Sequence, residues 1–224
     1  MKVVIFGASG MIGQGVLREC LESETVTSIL AVGRSPCGIE HEKLEEVLHG
    51  DFTDYGPIED RLRGFDACFF CLGVSSAGMS EEEYRHITFD FTIRAAETLS
   101  RIDPQMVFCY ISGAGTDSSE KSRSMWARVK GMTENRLLEI PFRAVYLLRP
   151  GYIQPMKGIR SKTRLYQAMY TLLGPLYPVW KTLFPNIVTN TELVGRAMIR
   201  VADEGSPQAI LETRDINAVA SQSV

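Results

Sequence analysis

Gly7-Ala8-Ser9-Gly10-Met11-Ile12-Gly13 follows directly on the apolar run Val3-Val4-Ile5-Phe6 and leads into Ile12, Val16 and Cys20 at helical spacing. Strand, glycine turn and helix in that order open a βαβ unit whose turn suits a dinucleotide. Gly7 permits the tight turn, Gly10 lets backbone approach a pyrophosphate, and Gly13 lets the helix pack closely on the sheet. Ser9 lies in the turn and Met11 and Ile12 begin the helix, where free N–H groups and the positive dipole end favour an anion. A second apolar run, Ile29-Leu30-Ala31-Val32, completes the unit.

Beyond that run an NAD site would place a carboxylate for the ribose 2′-hydroxyl, whereas this chain has Gly33-Arg34-Ser35. A guanidinium offers a permanent charge and paired donors to a 2′-phosphate, so Arg34 and Ser35 point to NADP(H) before NAD(H). Asp51-Phe52 is expected to meet the adenine, the carboxylate through the exocyclic amine and the ring by packing. Further strands are expected at Glu46 to His49, Ala67 to Leu72, Met106 to Ile111, Ala144 to Leu148 and Ala209 to Thr213. Between them run helical patterns: Glu81 to Ile102, with Tyr84, Thr88, Phe91, Ala95 and Leu99 on one stripe, and Ser122 to Ile140. A later helix is expected to be capped by Thr191. Continuous apolar strands alternating with amphipathic helices predict an α/β fold: a Rossmann doubly wound parallel sheet with helices on both faces and a small C-terminal helical elaboration. Leu72 and Gly73, and Pro150, Gly151 and Ile153, follow strands at the carboxyl edge where such a sheet places its ligand crevice.

The 224 residues suit a single NAD(P)-binding Rossmann domain over 1–224. With 24 basic against 27 acidic residues and no basic stripe, nucleic acid is not an expected partner. Met1 and Lys2 lead straight into the first strand, so a cytoplasmic location is expected. Cys68-Phe-Phe-Cys71 has the spacing of a metal pair, but residues three apart in a strand point to opposite faces, and no metal is expected. The apolar region from Leu165 to Val188 is broken by Gly174, Pro175, Pro178, Lys181 and Pro185, so it does not read as a transmembrane segment.

Taken together, Gly-Ala-Ser-Gly-x-x-Gly at 7–13, Gly-Arg-Ser at 33–35, Cys-Leu-Gly at 71–73, Ile-Ser-Gly-Ala-Gly at 111–115, Val-Lys-Gly at 129–131 and Arg-Pro-Gly at 149–151 carry a family resemblance. The chain resembles the atypical short-chain dehydrogenases/reductases, often labelled NAD-dependent epimerase/dehydratase-like. Within them it is similar to the group that includes human Tat-interacting protein thirty and its bacterial relatives. The resemblance implies a catalytic Ser, Tyr and Lys, the last two spaced Tyr-x-x-x-Lys on one helix. Lys130 matches the lysine and Ser112 the serine, but Trp126 occupies the tyrosine's place.

Spacing of four keeps Trp126 and Lys130 on one helix face. An indole only donates a hydrogen bond and cannot relay a proton. Three readings stay open. Lys130 holds the nicotinamide ribose while Ser112, Thr116, Ser118, Ser119, Tyr110 or Tyr152 supplies the proton; or the protein binds NADPH without turnover, Trp126 stacking over the nicotinamide; or Trp126 is ordinary helix core. Residues 154–190 carry the bases Lys157, Arg160, Lys162 and Arg164, then Tyr166, Tyr170, Tyr177, Trp180 and Phe184. They read as a substrate lid or interface segment for an unknown small molecule, a homodimer contact or a membrane-surface patch, with packed core as the plainer alternative.

Overall fold

The computed structural model describes residues 1–159 and 177–222. At its centre β1 (Lys2–Phe6) pairs in parallel with β2 (Ser28–Gly33) on one side and β4 (Ala67–Phe70) on the other. β3 (Leu44–Leu48) extends the first side; β5 (Val107–Ile111), β6 (Ala144–Arg149) and β9 (Ile210–Glu212) extend the second. The order is β3-β2-β1-β4-β5-β6-β9, all parallel, so the winding reverses between β1 and β4. That reversal opens a crevice at the carboxyl ends of the two strands, where Gly7 and Cys71 begin.

Side-chain alternation along each strand divides the core. Val3 and Ile5 pack with Val16, Leu17 and Cys20 of α1 (Met11–Glu22), Val194 and Met198 of α6 (Thr191–Asp203) and Ile216 of α7 (Thr213–Ser221). Val4 and Phe6 pack on the opposite face with Leu62, with Ile93 and Leu99 of α3 (Phe91–Ile102) and with Leu137 of α4 (Met125–Glu139). Both faces are covered, which is why these strands are apolar without interruption. The doubly wound parallel sheet expected from the sequence is the observed one. Cys68 joins the second face and Cys71 packs against the first, as alternation requires.

The differences are local. The helix expected from Glu81 to Ile102 is α2 (Glu81–Arg85), a π-helical turn (His86–Asp90) and α3 in series. Asn190, not Thr191, caps α6: its Oδ1 accepts from the Leu193 N–H at 2.7 Å, while the Thr191 hydroxyl accepts from the Met156 N–H. Two strands absent from the sequence reading, β7 (Tyr152–Gln154) and β8 (Val188–Asn190), pair in parallel as a separate sheet. α5 (Tyr177–Leu183) precedes β8.

Candidate functional site

The glycine turn has the geometry its spacing predicts. Gly7 adopts φ +78°, and a Cβ there would lie 2.7 Å from the Leu72 nitrogen; a Cβ at Gly13 would lie 2.1 Å from the Gly7 carbonyl oxygen. Only hydrogen fits at both positions. Gly10 donates to the Gly7 carbonyl at 2.9 Å and forms the N-cap of α1, with no side chain capping the helix and no acid in its first turn. The helix therefore presents its first N–H groups beside Ser9, Met11 and Ile12 with no acidic side chain of its own in the first turn, a cradle that fits a pyrophosphate.

Arg34 and Ser35 are exposed just past β2. Among the described residues no hydrogen bond or ion pair restrains the Arg34 guanidinium. Beside it lies a recess lined by Ala8, Ser9, Gly33, Ser35, Cys37 and Glu46. Glu46 closes its floor by accepting from the Cys37 N–H at 2.9 Å. Asp51 is exposed and accepts from the Thr53 hydroxyl and N–H, bonds that hold its carboxyl below the usual range. The expectation for Phe52 needs correction: its ring is 4% exposed and packed against Phe91, His49 and Tyr55. The ring belongs to the core, which leaves Asp51 as the member of the pair able to meet a ligand.

At the other wall of the crevice, Leu72 closes on Gly7 and Gly73 has open space around it. Lys130 on α4 donates from Nζ to the backbone carbonyls of Ser112 and Ile111, and lies 5.9 Å from the centre of the Tyr110 ring. Burial pushes its ammonium down to about 8, against the opposing pull of the Glu134 carboxylate.

The Ser112 side chain is not where the resemblance implies. Its hydroxyl lies against Glu134 Oε1 and 3.2 Å from the Leu148 carbonyl, facing the interior. The cause is Glu134, a carboxylate only 1% exposed that accepts from Ser112 and Arg149. Arg149 grips both its oxygens, with Nε 3.0 Å from Oε1, and reaches Ser118 Oγ at 2.6 Å and Glu212 Oε1 at 3.4 Å. Sequence reasoning missed this buried pair. The available signals were Glu134 four residues after Lys130 and the arginine of the Arg-Pro-Gly motif.

Trp126 is half-buried, and a Cβ on Gly115 would touch the indole at 3.4 Å. The ring thus lies on the loop that follows β5, on the same helix as Lys130. Other hydroxyls are engaged nearby: Thr116 donates to the Gly113 carbonyl, Ser119 to Asp117, and Tyr152 to Gln154 Oε1 at 2.7 Å. Tyr110 is fully buried, and burial drives its phenol above the normal range. Pro150 is buried and its carbonyl accepts from Ala114. The Gly151 N–H donates to Thr213 Oγ1 at 2.8 Å, and a Cβ there would lie 2.4 Å from the Ile187 oxygen. Ile153 follows in β7, buried.

Of the expected lid, Arg160, Lys162, Arg164, Tyr166 and Tyr170 lie outside the described residues. Tyr177 accepts from Asn190, Trp180 stacks on Phe184 at 5.8 Å, and Val179, Leu183, Phe184 and Ile187 are exposed. This described end of the segment is not the packed core that aromatic spacing suggested as the plainer alternative. Among the described residues, no helix is long and apolar enough to cross a membrane.

Comparison with known proteins agrees with the fold and the motifs. The chain is 27% identical to Protein HTATIP2 of Rattus norvegicus over 68% of its own length and 62% of that protein's, so it matches less than two thirds of that relative. It is 25% identical to Protein fmp52-2, mitochondrial, of Aspergillus terreus, over 90% of this chain and 87% of that protein. The Bordetella bronchiseptica enzyme WbmF, solved in complex with NAD+, superposes with a TM-score of 0.67 at 15% identity, covering 97% of this chain and 76% of that one. The cytoplasmic location expected from the sequence is overturned, since the Aspergillus terreus protein and other fungal relatives are named mitochondrial. That expectation rested on where the first strand starts, and a strand's position carries no address. The profile of the NAD dependent epimerase/dehydratase family matches residues 3–125, from β1 through the turn, the crevice and the start of α4, and the chain belongs to that family.

Proposed function

We propose that the chain binds a nicotinamide dinucleotide, NADPH before NADH, and acts as an oxidoreductase or epimerase-like enzyme in which Trp126 replaces the family's catalytic tyrosine. The observation that carries this reading is Lys130: an ammonium fixed by two backbone carbonyls at the carboxyl edge of the sheet, still charged at neutral pH. Such a group holds ribose hydroxyls without transferring a proton. Gly7, Ser9, Gly10, Met11, Ile12 and Gly13 would take the pyrophosphate. The unrestrained Arg34 guanidinium, with Ser35, would take a 2′-phosphate. Asp51, Leu72 and Gly73 would border the adenosine, and the backbone of Pro150, Gly151 and Ile153 the carboxamide. When bound, the nicotinamide supplies or accepts a hydride.

The proton must then come from elsewhere than Trp126 or the inward-facing Ser112. Tyr152, half-buried next to Gly151, is the hydroxyl we take as the candidate. The single observation that favours a second reading, a regulator that binds NADPH without turnover, is the indole lying against Gly115 where a phenol would ionise.

The test is NADPH binding by fluorescence quenching, followed by turnover against a broad panel of carbonyl substrates. Oxidation of NADPH by the native chain, reduced by Tyr152→Phe, supports the enzyme. Binding without oxidation of any carbonyl refutes it, and gain of activity in Trp126→Tyr would then show an otherwise assembled site. Absence of dinucleotide binding refutes both readings.

A further inference from the structure

Behind Lys130 a line of contacts runs through Ser112 and Glu134 to Arg149. The Lys130 ammonium bonds to the backbone carbonyl of Ser112, and the hydroxyl of the same residue meets Glu134. Glu134 is one helical turn beyond Lys130, so both side chains leave α4 on one face. Arg149, from the end of β6, closes the line on the far side and ties it to Ser118 and Glu212. Ser112 is thus held at two atoms, one by each member of the α4 pair. A carboxylate 1% exposed is costly to keep unless it serves or is served by its neighbours, and here Arg149 offsets its burial.

We propose that Glu134 is a positioning residue for Lys130: through Ser112 it fixes where the ammonium lies, and it sets a carboxylate one helical turn from it. The inference rests on the reading that Lys130 meets the cofactor ribose, but it concerns the state of Lys130 itself. The groups around that ammonium are Tyr110 on β5, whose raised phenol stays neutral, and Glu134 on its own helix. Arg149 on β6 lies behind Glu134, and Glu212 behind Arg149. Among the described residues Glu134 is the negative charge that acts on Lys130, while burial pulls the other way. Arg149 anchors Glu134 and so keeps it from swinging onto Lys130 as a simple ion pair.

The experiment reads Lys130 directly. Lysines labelled with 13C at Cε are titrated by NMR in the full-length protein, the Lys130 signal being assigned by its loss in Lys130→Met. Glu134→Gln is expected to lower the Lys130 midpoint by on the order of one pH unit. Glu134→Asp, which retains the charge, should restore most of that shift. Because Glu134→Gln leaves Arg149 with only its longer contact to Glu212 as an ion pair, the double variant Glu134→Gln/Arg149→Leu is run beside it, with the same lowering expected. A Lys130 midpoint unchanged in whichever of the two variants folds overturns the proposal. Dinucleotide affinity measured at fixed pH separates the underlying reading: if Lys130→Met binds NADPH as tightly as the native chain, the ribose contact fails even where the NMR shift is found.

Discussion

Replacing Gly131 by alanine tests how closely α4 is pressed against the loop that follows β5. A Cβ on Gly131 would stand 1.8 Å from the Asp117 carbonyl oxygen and 2.6 Å from its carbonyl carbon. Unbonded Cβ atoms do not approach closer than 3.0 Å, so helix and loop must separate by about 1.2 Å. The obstacle is backbone on both sides, so no rotamer change relieves it. The Asp117 N–H also donates to the Ala127 carbonyl at 3.1 Å, and that bond stretches with the displacement. Overpacking of this kind costs about 1–3 kcal/mol. For a domain of this size each kcal/mol lowers Tm by roughly 2–4 °C, so a fall of roughly 2–12 °C is expected by circular dichroism. The same shift moves Lys130, the adjacent residue, and should weaken NADPH binding at temperatures where the variant is folded. Gly50→Ala is the control, since a Cβ there meets nothing within 4 Å. If Gly131→Ala melts within a degree of the native chain, the close packing of α4 on the 117–118 backbone is refuted.

Arg34→Asp should weaken NADPH at least about tenfold more than NADH, since it removes a charge-assisted contact that only the 2′-phosphate makes; equal losses by titration calorimetry would sink that assignment. Gly10→Glu places a carboxylate at the open N-terminus of α1 and should abolish binding of either dinucleotide while leaving the far-ultraviolet spectrum native; retained affinity would mean that the turn is not the pyrophosphate site. The Asp117 carboxyl is pulled down to about 2, first by the Ser119 hydroxyl and then by the N–H groups of Ser119, Ser122 and Lys121. A carboxyl lowered on folding contributes stability above its ordinary value of 3.8, and that contribution is lost as pH falls through about 2. Urea midpoints of native chain and Asp117→Asn should therefore differ at pH 5 and converge near pH 2; a gap independent of pH would refute it.

The central strands were legible because burial on both faces of a parallel sheet writes uninterrupted apolar runs, and the turn because only glycine tolerates what surrounds Gly7 and Gly13. Lys130 and Trp126 were found through the family's Tyr-x-x-x-Lys pattern, a local match along one helix. What sequence could not yield was pairing at a distance. Glu134 reads as one more helical acid until β6 brings Arg149 beside it, and that pair in turn draws the Ser112 hydroxyl inward. Phe52 failed for the same reason: the ring that covers it, Phe91, comes from α3. β7 and β8 have three residues each, too few for a period to register. At α6 two adjacent residues could each cap the helix, and the choice of Asn190 follows from Thr191 being taken by the Met156 N–H.

The Gly151 turn depends on chain that is made late. Its N–H is held by Thr213, and Tyr152 donates to the Ile187 carbonyl. Asn217 in turn ties down the carbonyls of Pro185 and Val188. On a ribosome the glycine turn and first βαβ unit can form before residues 151–217 are made, at roughly 5–20 residues per second. The crevice opposite them has no fixed far wall until residue 217 has cleared the exit tunnel. Nascent chains should therefore pass through an interval in which the pyrophosphate cradle exists without its nicotinamide side, exposing the strand edge of β6 to chaperones until β9 arrives to cover it.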